Sequence, residues 1–273
     1  MKSKYIEAIL SIASLLLLGG CFELPEFPVT PEISFHSVRF VETDAFGPDT
    51  LVLSFNFTDG DGDIGLDADE IYPPYHRFNY IVDSTVEFVY NRDYDLYFVK
   101  DTTGNFVQYN REGTAAPYYS ISEYGSLVGT YSEGPIDLPA YNCKNYIEVP
   151  DVDGNDIGAD TQDTILIEPN IFQNNIVLAF YRKRNGQMED ITYLFSADPC
   201  QDSFNSRIPI FDENNIGRPL KGVIHYAIQS YGFKSVFLND SIFIDFYIYD
   251  RALHQSNVVR SKGFTLPGLL GIN

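Results

Sequence analysis

The sequence predicts an all-β protein, and three observations support this fold class. Runs of alternating apolar residues, or of β-branched and aromatic residues, recur along the chain and are bounded by Gly, Pro, Asn or Asp. Few ten-residue stretches after the N-terminus lack glycine, proline or a β-branched cluster, which disfavours helices. Two short segments, 103–105 and 184–186, have the Gly and Asn residues typical of hairpin tips.

The predicted strands follow one another along most of the chain. The clearest are 51–57, 94–99, 164–167, 176–181, 222–228 and 242–249. In the last of these only Asp245 is charged, as expected for a strand whose two faces are largely covered. We interpret the chain as a β-sandwich of one or two units, with candidate units at 33–140 and 141–273.

Composition and charge exclude several functions. The 273 residues include 38 Asp and Glu against 18 Lys and Arg, giving a net charge of −20 and a pI near 4.3. Such a chain repels nucleic acid and anionic lipid headgroups. None of the four histidines lies in a metal-binding spacing, and the sequence contains no GxSxG, P-loop or dinucleotide fingerprint. We therefore expect that the protein is not an enzyme.

The N-terminus has the pattern of an export signal. Lys2 and Lys4 precede an apolar run from Ile6 to Leu18, which is too short to span a bilayer core. The run ends in Gly19, Gly20 and Cys21, and 18–21 resembles the lipobox of bacterial lipoproteins. The resemblance implies a signal peptide at 1–20 and lipidation of Cys21.

Residues 21–32 form a Pro-rich, acidic segment that we interpret as an extended tether. Phe22, rather than Asp, follows the lipidated cysteine, which by analogy with lipoprotein sorting favours the outer membrane. The sequence leaves open whether the protein faces the periplasm or the cell surface.

The remaining cysteines fit an oxidising compartment. With Cys21 assigned to lipid, Cys143 and Cys200 form an even pair, which predicts one disulfide. Two buried free thiols are the alternative.

An Asp- and Gly-rich segment at 59–70 is the most distinctive motif. Carboxylates that alternate with glycine can bring several oxygens to one hard cation, because glycine allows the tight backbone turns this requires. The candidate calcium ligands are Asp59, Asp61, Asp63, Asp67, Asp69 and Glu70.

The spacing of this segment resembles that of an EF-hand loop. Asp59, Asp61 and Asp63 take the first three ligand positions, and Glu70 falls at the twelfth, where a bidentate carboxylate binds. Ile64 stands where an EF-hand has glycine, and predicted strands flank the segment, so we predict a structural calcium loop on a β-sandwich. The alternative is a solvated acidic connector without an ion. A second segment, 151–160, has fewer carboxylates, and there a loop without an ion is about equally favoured.

Aromatic side chains near turn signals are candidate ligand contacts. Tyr72 and Tyr75 follow the acidic segment, and Tyr118 and Tyr119 follow Pro117. If these segments are loops, the rings could stack on sugars or anchor a protein partner. The alternative is that they pack on the edges of the sandwich.

Three features together resemble a family of uncharacterised Bacteroidota envelope lipoproteins. They are the segment 53–65 with its DGDGDIG motif, the pair Cys143 and Cys200, and the segment 240–259. The last is also similar to the closing strands of immunoglobulin-like modules. The resemblance implies an envelope lipoprotein with an immunoglobulin-like fold, and it implies no activity and no catalytic residues.

The sequence thus predicts a non-enzymatic, outer-membrane-anchored lipoprotein that acts as a calcium-stabilised binding or assembly module. Its expected partners are the membrane, through the lipid anchor, and an envelope protein or a glycan, but not nucleic acid. The alternatives are a carbohydrate-binding accessory lipoprotein of an uptake system and, less favoured, a hydrolase.

Overall fold

A computed structural model describes residues 26–43, 46–91, 96–107, 116–150, 162–195, 204–211 and 216–271. Within these ranges the chain forms antiparallel sheets and only short helices, so the all-β prediction is confirmed. The arrangement is compatible with a β-sandwich. Each of the six clearest predicted strands overlaps an observed strand.

The described strands are β1 (Glu32–Val41), β2 (Asp49–Asp59), β3 (Phe78–Asp83), β4 (Val86–Asn91), β5 (Leu96–Asp101), β6 (Tyr118–Ser122), β7 (Leu127–Ser132), β8 (Tyr146–Pro150), β9 (Gln162–Pro169), β10 (Ile176–Arg184), β11 (Gln187–Asp190), β12 (Leu220–Ser230), β13 (Ser241–Ile248) and β14 (Val259–Arg260). Two five-residue helices are α1 (Phe233–Phe237) and α2 (Leu266–Leu270). Both predicted hairpin tips form turns: Asn185 and Gly186 have positive φ between β10 and β11, and Gly104 has positive φ after β5.

A first hydrophobic core lies between two sheets. One sheet has the order β1-β2-β12 and the other β11-β10-β13-β14. Alternate residues of β2 and β13 point inward, and the rings of Phe55 and Phe246, one from each sheet, lie 5.2 Å apart. The period-two pattern of these strands therefore buries one face of each sheet against the other.

A second core is built from the middle of the chain. The five-stranded sheet β7-β6-β3-β9-β8 and the hairpin β4-β5 contribute its strands. Its buried side chains include Ile81, Phe98 and Ile165. The two cores share no buried residue among those described.

The cores divide the chain differently from the predicted units at 33–140 and 141–273. Strands β1 and β2 pair in one sheet with β12, on the other side of the predicted boundary. The second core takes its residues from one segment, 78–167. Strands β3 and β9, at the two ends of this segment, pair with each other, so the chain leaves the first sandwich and returns to it at the same place. Sequence order could not reveal this, because the strand patterns carry no information on which distant strands pair.

Several predicted features lie outside the described residues. These are the signal peptide 1–20, Cys21, the first part of the tether, the second Asp-Gly segment at 151–160 and Cys200. Cys143 is disulfide-bonded, but Cys200 is not described, so the pairing of the two stays a prediction. In the part of the chain that is described, no helix has both the length and the apolar character needed to cross a membrane.

Candidate functional site

The acidic segment leaves the end of β2 and turns sharply against other parts of the chain. Asp59 is the last residue of β2, and Gly62 and Gly65 after it have positive φ. A Cβ on Gly65 would lie 2.5 Å from Ile210 Cα, and one on Gly60 would lie 2.4 Å from the carbonyl oxygen of Phe27. Both glycines are therefore needed for close backbone approach, and the predicted tight turning of this segment has a packing reason as well.

Three carboxylates converge at the end of the first sandwich. Asp59, Asp63 and Asp250 each place one oxygen within 4.8 Å of the other two. Asp250 follows β13, in the sheet opposite to that of Asp59. A backbone hydrogen bond from Arg251 N to Asp63 O, at 3.3 Å, links the acidic segment to this closing turn. The cluster thus joins segments that lie about 190 residues apart in the sequence.

Burial and missing partners set these groups apart from ordinary surface carboxylates. Asp59 is fully buried and Asp250 is 3% exposed. Asp59 Oδ2 accepts a hydrogen bond from the backbone N–H of Asp63 at 2.9 Å. The Oδ1 atoms of Asp59, Asp61 and Asp63 are buried and have no hydrogen-bond partner among the described residues. An unpaired buried carboxylate oxygen is costly, so each of these atoms requires a compensating group.

The pKa values of the clustered carboxyl groups also indicate that their negative charges are uncompensated. Burial is the largest cause that raises the pKa of Asp59 to about 7, and the negative charges of Asp61 and Asp63 add to it. Burial likewise raises the pKa of Asp63 to about 6, with Asp250 and Asp61 contributing. The site therefore disfavours its own negative charge, as expected where a cation would be bound.

The geometry fits one calcium ion. Calcium takes oxygen ligands at about 2.3–2.6 Å, so two ligands on opposite sides of the ion lie about 4.6–5.2 Å apart. The three carboxylate oxygens lie within 4.8 Å of one another, which is close enough for one ion to contact all three. Asp61 carries a further buried and unpaired oxygen in the same turn, which makes it a candidate fourth ligand.

The basic side chains near the cluster, His254 and Arg251, do not pair with all of its carboxylates. One contacts the cluster only at Asp250, and the other binds a carboxylate outside it. His254 Nδ1 lies 2.8 Å from Asp250 Oδ2, and Asp250 is the main cause that raises the pKa of His254. The His254 side chain is about half exposed, so it lies on the outer side of Asp250. Arg251 binds Glu70 rather than the cluster.

Glu70 therefore does not take the place expected of a twelfth ligand. Both of its oxygens accept hydrogen bonds from the Arg251 guanidinium, with Nη1 at 2.7 Å from Oε2. The same Oε2 accepts from the backbone N–H of Asp67 at 2.8 Å. The hydrogen bond from Arg251 is the main cause that lowers the pKa of Glu70. Ile64, which stands where an EF-hand has glycine, is buried in the first core.

The remaining predicted ligands also lie away from the cluster. Asp67 Oδ1 accepts from the backbone N–H of Ile210 at 3.3 Å, and Asp69 is exposed. Of the six predicted ligands, the structure brings together Asp59 and Asp63, with Asp61 beside them. The candidate ligand that sequence reasoning missed is Asp250. Its one signal was an acidic residue directly after the apolar strand 242–249.

Arg207 stabilises the C-terminal end of the acidic segment through hydrogen bonds to its backbone. Its guanidinium donates to the carbonyl oxygens of Asp67 at 2.6 Å, Glu70 at 3.0 Å and Tyr75 at 3.0 Å, and its Nε donates to Gln173 O at 2.7 Å. These bonds satisfy carbonyls that have no strand partner. Arg207 thus fixes the segment that connects the two cores, a role that its sequence context did not indicate.

The four predicted aromatic contacts do not form one surface. Tyr118 is 2% exposed, and it starts β6 with Tyr119 rather than lying in a loop. Tyr75 donates from its hydroxyl to Arg251 O at 2.6 Å. Tyr72 is exposed and lies 4.9 Å from the ring of Tyr124. The burial of Tyr118 corrects its placement in a loop, because strand alternation points its ring into the second core.

A cavity of about 730 Å³ lies where the two cores meet. One side is a face of the five-stranded sheet, with Asn79, Ser120 and Glu168. The other side is formed by residues 73–76 and by Phe172 and Leu253. Leu253 belongs to the same turn as Asp250, so the cavity and the acidic cluster are neighbours.

No protein-family model, curated protein or solved structure shows a significant match to this chain.

Proposed function

We propose that this protein is a non-enzymatic lipoprotein, anchored to the outer membrane through Cys21, whose β-sandwich is stabilised by calcium and acts as a binding or assembly module. The main support for calcium binding is the fully buried carboxylate of Asp59, which has an unpaired oxygen and lies beside Asp63 and Asp250. The lipobox-like 18–21 segment supports the anchor.

Calcium would act here as a structural link. It would neutralise carboxylates that otherwise repel one another, and it would connect the end of β2 to the turn after β13. Outside the cell even a weak site, with Kd of about 10⁻⁴–10⁻³ M, would be filled. The chain would then be held closed at the end where it passes from the first core to the second.

Thermal melting in calcium and in EDTA tests this role. Free calcium at 100 times its Kd stabilises a protein by about 2.7 kcal/mol, which corresponds to a rise in Tm of about 5 °C or more in a chain of this size. We expect Asp59→Asn and Asp250→Asn to abolish that rise. We also expect Asp59→Asn to melt above the wild type in EDTA, because it removes a buried charge next to other carboxylates.

Asp69→Asn is the matched control, because it removes the same charge from the same segment at an exposed position. It should keep the full calcium response. A wild-type melting curve that is the same in calcium and EDTA would exclude the calcium site. An equal loss of response in the control would show that only overall charge matters.

The anchor is tested separately in cells. Cys21→Ala should abolish labelling with a palmitate analogue and release the protein from the membrane fraction, because the lipid chains provide the attachment. Ser34→Ala, at a position in β1, is the control and should leave both unchanged. A Cys21→Ala protein that stays in the membrane fraction would contradict lipid anchoring.

A further inference from the structure

We propose that the cavity between the two cores is a binding site for a neutral, hydroxyl-rich ring, that is, for a saccharide unit. This inference rests on the proposed binding role and names its ligand class. It uses residues of the cavity and none of the three clustered carboxylates.

The cavity has the size and position of a ligand site. Its volume of about 730 Å³ lies within the range of about 300–1,000 Å³ that is typical of small-molecule pockets. It lies between the five-stranded sheet of the second core and the turn after β13 of the first sandwich, and junctions between separately packed units are preferred places for ligand sites.

The sheet side of the cavity offers fixed polar groups. Asn79 and Glu168 are directly paired residues of β3 and β9, so their side chains lie on the same face. Asn79 Oδ1 lies 2.5 Å from His76 Nε2, which orients the amide and leaves Asn79 Nδ2 to donate to a ligand. Glu168 is exposed at the cavity, where its carboxylate can accept hydrogen bonds from hydroxyl groups.

Another polar residue of the wall, Asn170, has a structural role instead. Its Nδ2 donates to Pro74 O at 2.6 Å and to His76 O at 2.9 Å, and its Oδ1 accepts from Phe172 N at 3.1 Å. These bonds hold the segment 74–76 against Phe172. The wall is therefore built before a ligand arrives, which lowers the ordering cost of binding.

The lining also contains apolar residues and two aromatic rings, beside the further polar residues His76, Ser120 and Thr130. Pro73, Pro74, Val128 and Leu253 lie together with Phe172 and Tyr131 around the polar groups. Tyr131 is 45% exposed on β7, an edge strand, so its ring is accessible from the cavity mouth. A sugar ring has apolar C–H faces and a rim of hydroxyl groups, and it matches a lining of rings and prolines with a few acceptors and donors.

Charge excludes other ligand classes. Glu168 is the only charged residue among those lining the cavity, and the chain has a net charge of −20. An anionic ligand would be repelled by both. A purely hydrocarbon ligand would cover Asn79 Nδ2 and the Glu168 carboxylate without offering either group a hydrogen-bond partner.

The experiment uses the folded protein on an array of neutral oligosaccharides, followed by calorimetric titration with the best-retained one. We expect selective retention of a neutral saccharide. Tyr131→Ala should weaken binding about tenfold through loss of the ring contact, and Glu168→Gln should weaken it through loss of the charged acceptor. Both positions are exposed, so the variants should keep the wild-type melting curve.

Tyr231→Ala is the matched control, because Tyr231 is 75% exposed and lies outside the cavity. It should leave the affinity unchanged. No retained saccharide, or equal binding by the cavity variants and the wild type, would overturn this proposal. A calcium-dependent Tm without saccharide binding would refute the ligand class alone, whereas saccharide binding without a calcium response would refute the calcium-stabilised role alone.

Discussion

The two cores of this protein are built in different ways. The first core uses strands from both ends of the described chain, and its longest strands, β2 and β12, have eleven residues each. The second core uses one continuous segment, and β6 and β8 have only five residues each. The first core also contains an aromatic cluster with ring centroids 5.1–6.4 Å apart, formed by Phe180, Phe195, Phe204, Phe233 and Phe237.

Their borders differ as well. The first core ends in the acidic cluster, where unpaired carboxylates oppose closure. The second core ends in the edge strand β7, whose residues from Leu127 to Tyr131 are exposed. The candidate sites thus lie at the ends and edges of well-packed units, where side chains can meet a ligand. The packed sheets hold the buried, unpaired carboxylates of the cluster in place, although these carboxylates themselves lower the stability of the fold.

Core substitutions would show the largest difference between the two units. We expect Phe246→Ala to destabilise the first core by about 3–5 kcal/mol and Ile81→Ala to destabilise the second by about 2–5 kcal/mol, because both residues are fully buried. Only Phe246→Ala should also weaken the calcium response, since Asp59 and Asp250 lie on the sheets that Phe246 helps to hold together. Calcium titrations followed by melting would measure this.

The conservative variants Phe246→Leu and Ile81→Val keep most of the buried volume and serve as controls if the alanine variants do not fold. If the Phe246 and Ile81 variants lost the calcium response equally, the two cores would unfold as one cooperative unit. The two cores would then not differ in their coupling to the calcium site.

The Glu70–Arg251 pair should have a smaller effect. Its side chains are about one-quarter exposed, so we expect Glu70→Gln to cost about 1 kcal/mol while calcium still raises the Tm. Asp245→Asn, which breaks the more exposed pair with Arg260, is the control and should cost less. Chemical denaturation in the presence and absence of calcium would measure both. If Glu70→Gln lost the calcium response and Asp250→Asn kept it, Glu70 rather than Asp250 would be the calcium ligand, as the EF-hand-like spacing predicts.

Much of the local structure follows from the sequence. The strands around 51–57, 176–181 and 242–249 could be predicted because alternation of apolar side chains reflects which face is buried, and that is a local property. The turn at 185–186 could be predicted because Asn and Gly tolerate the positive φ that a two-residue hairpin requires. The acidic segment was recognised for a similar reason, since its glycines and carboxylates are adjacent in the chain.

The composition of the site depended on the tertiary structure. Glu70 fits a linear ligand pattern but is drawn to Arg251, which lies 181 positions later. Asp250 takes a place in the cluster because β13 and β2 end on the same side of the first sandwich. The cavity likewise exists only because a continuous segment folds as a second core against the first. Pairing of distant strands decides these contacts, and local sequence patterns specify which residues are buried without specifying what they are buried against.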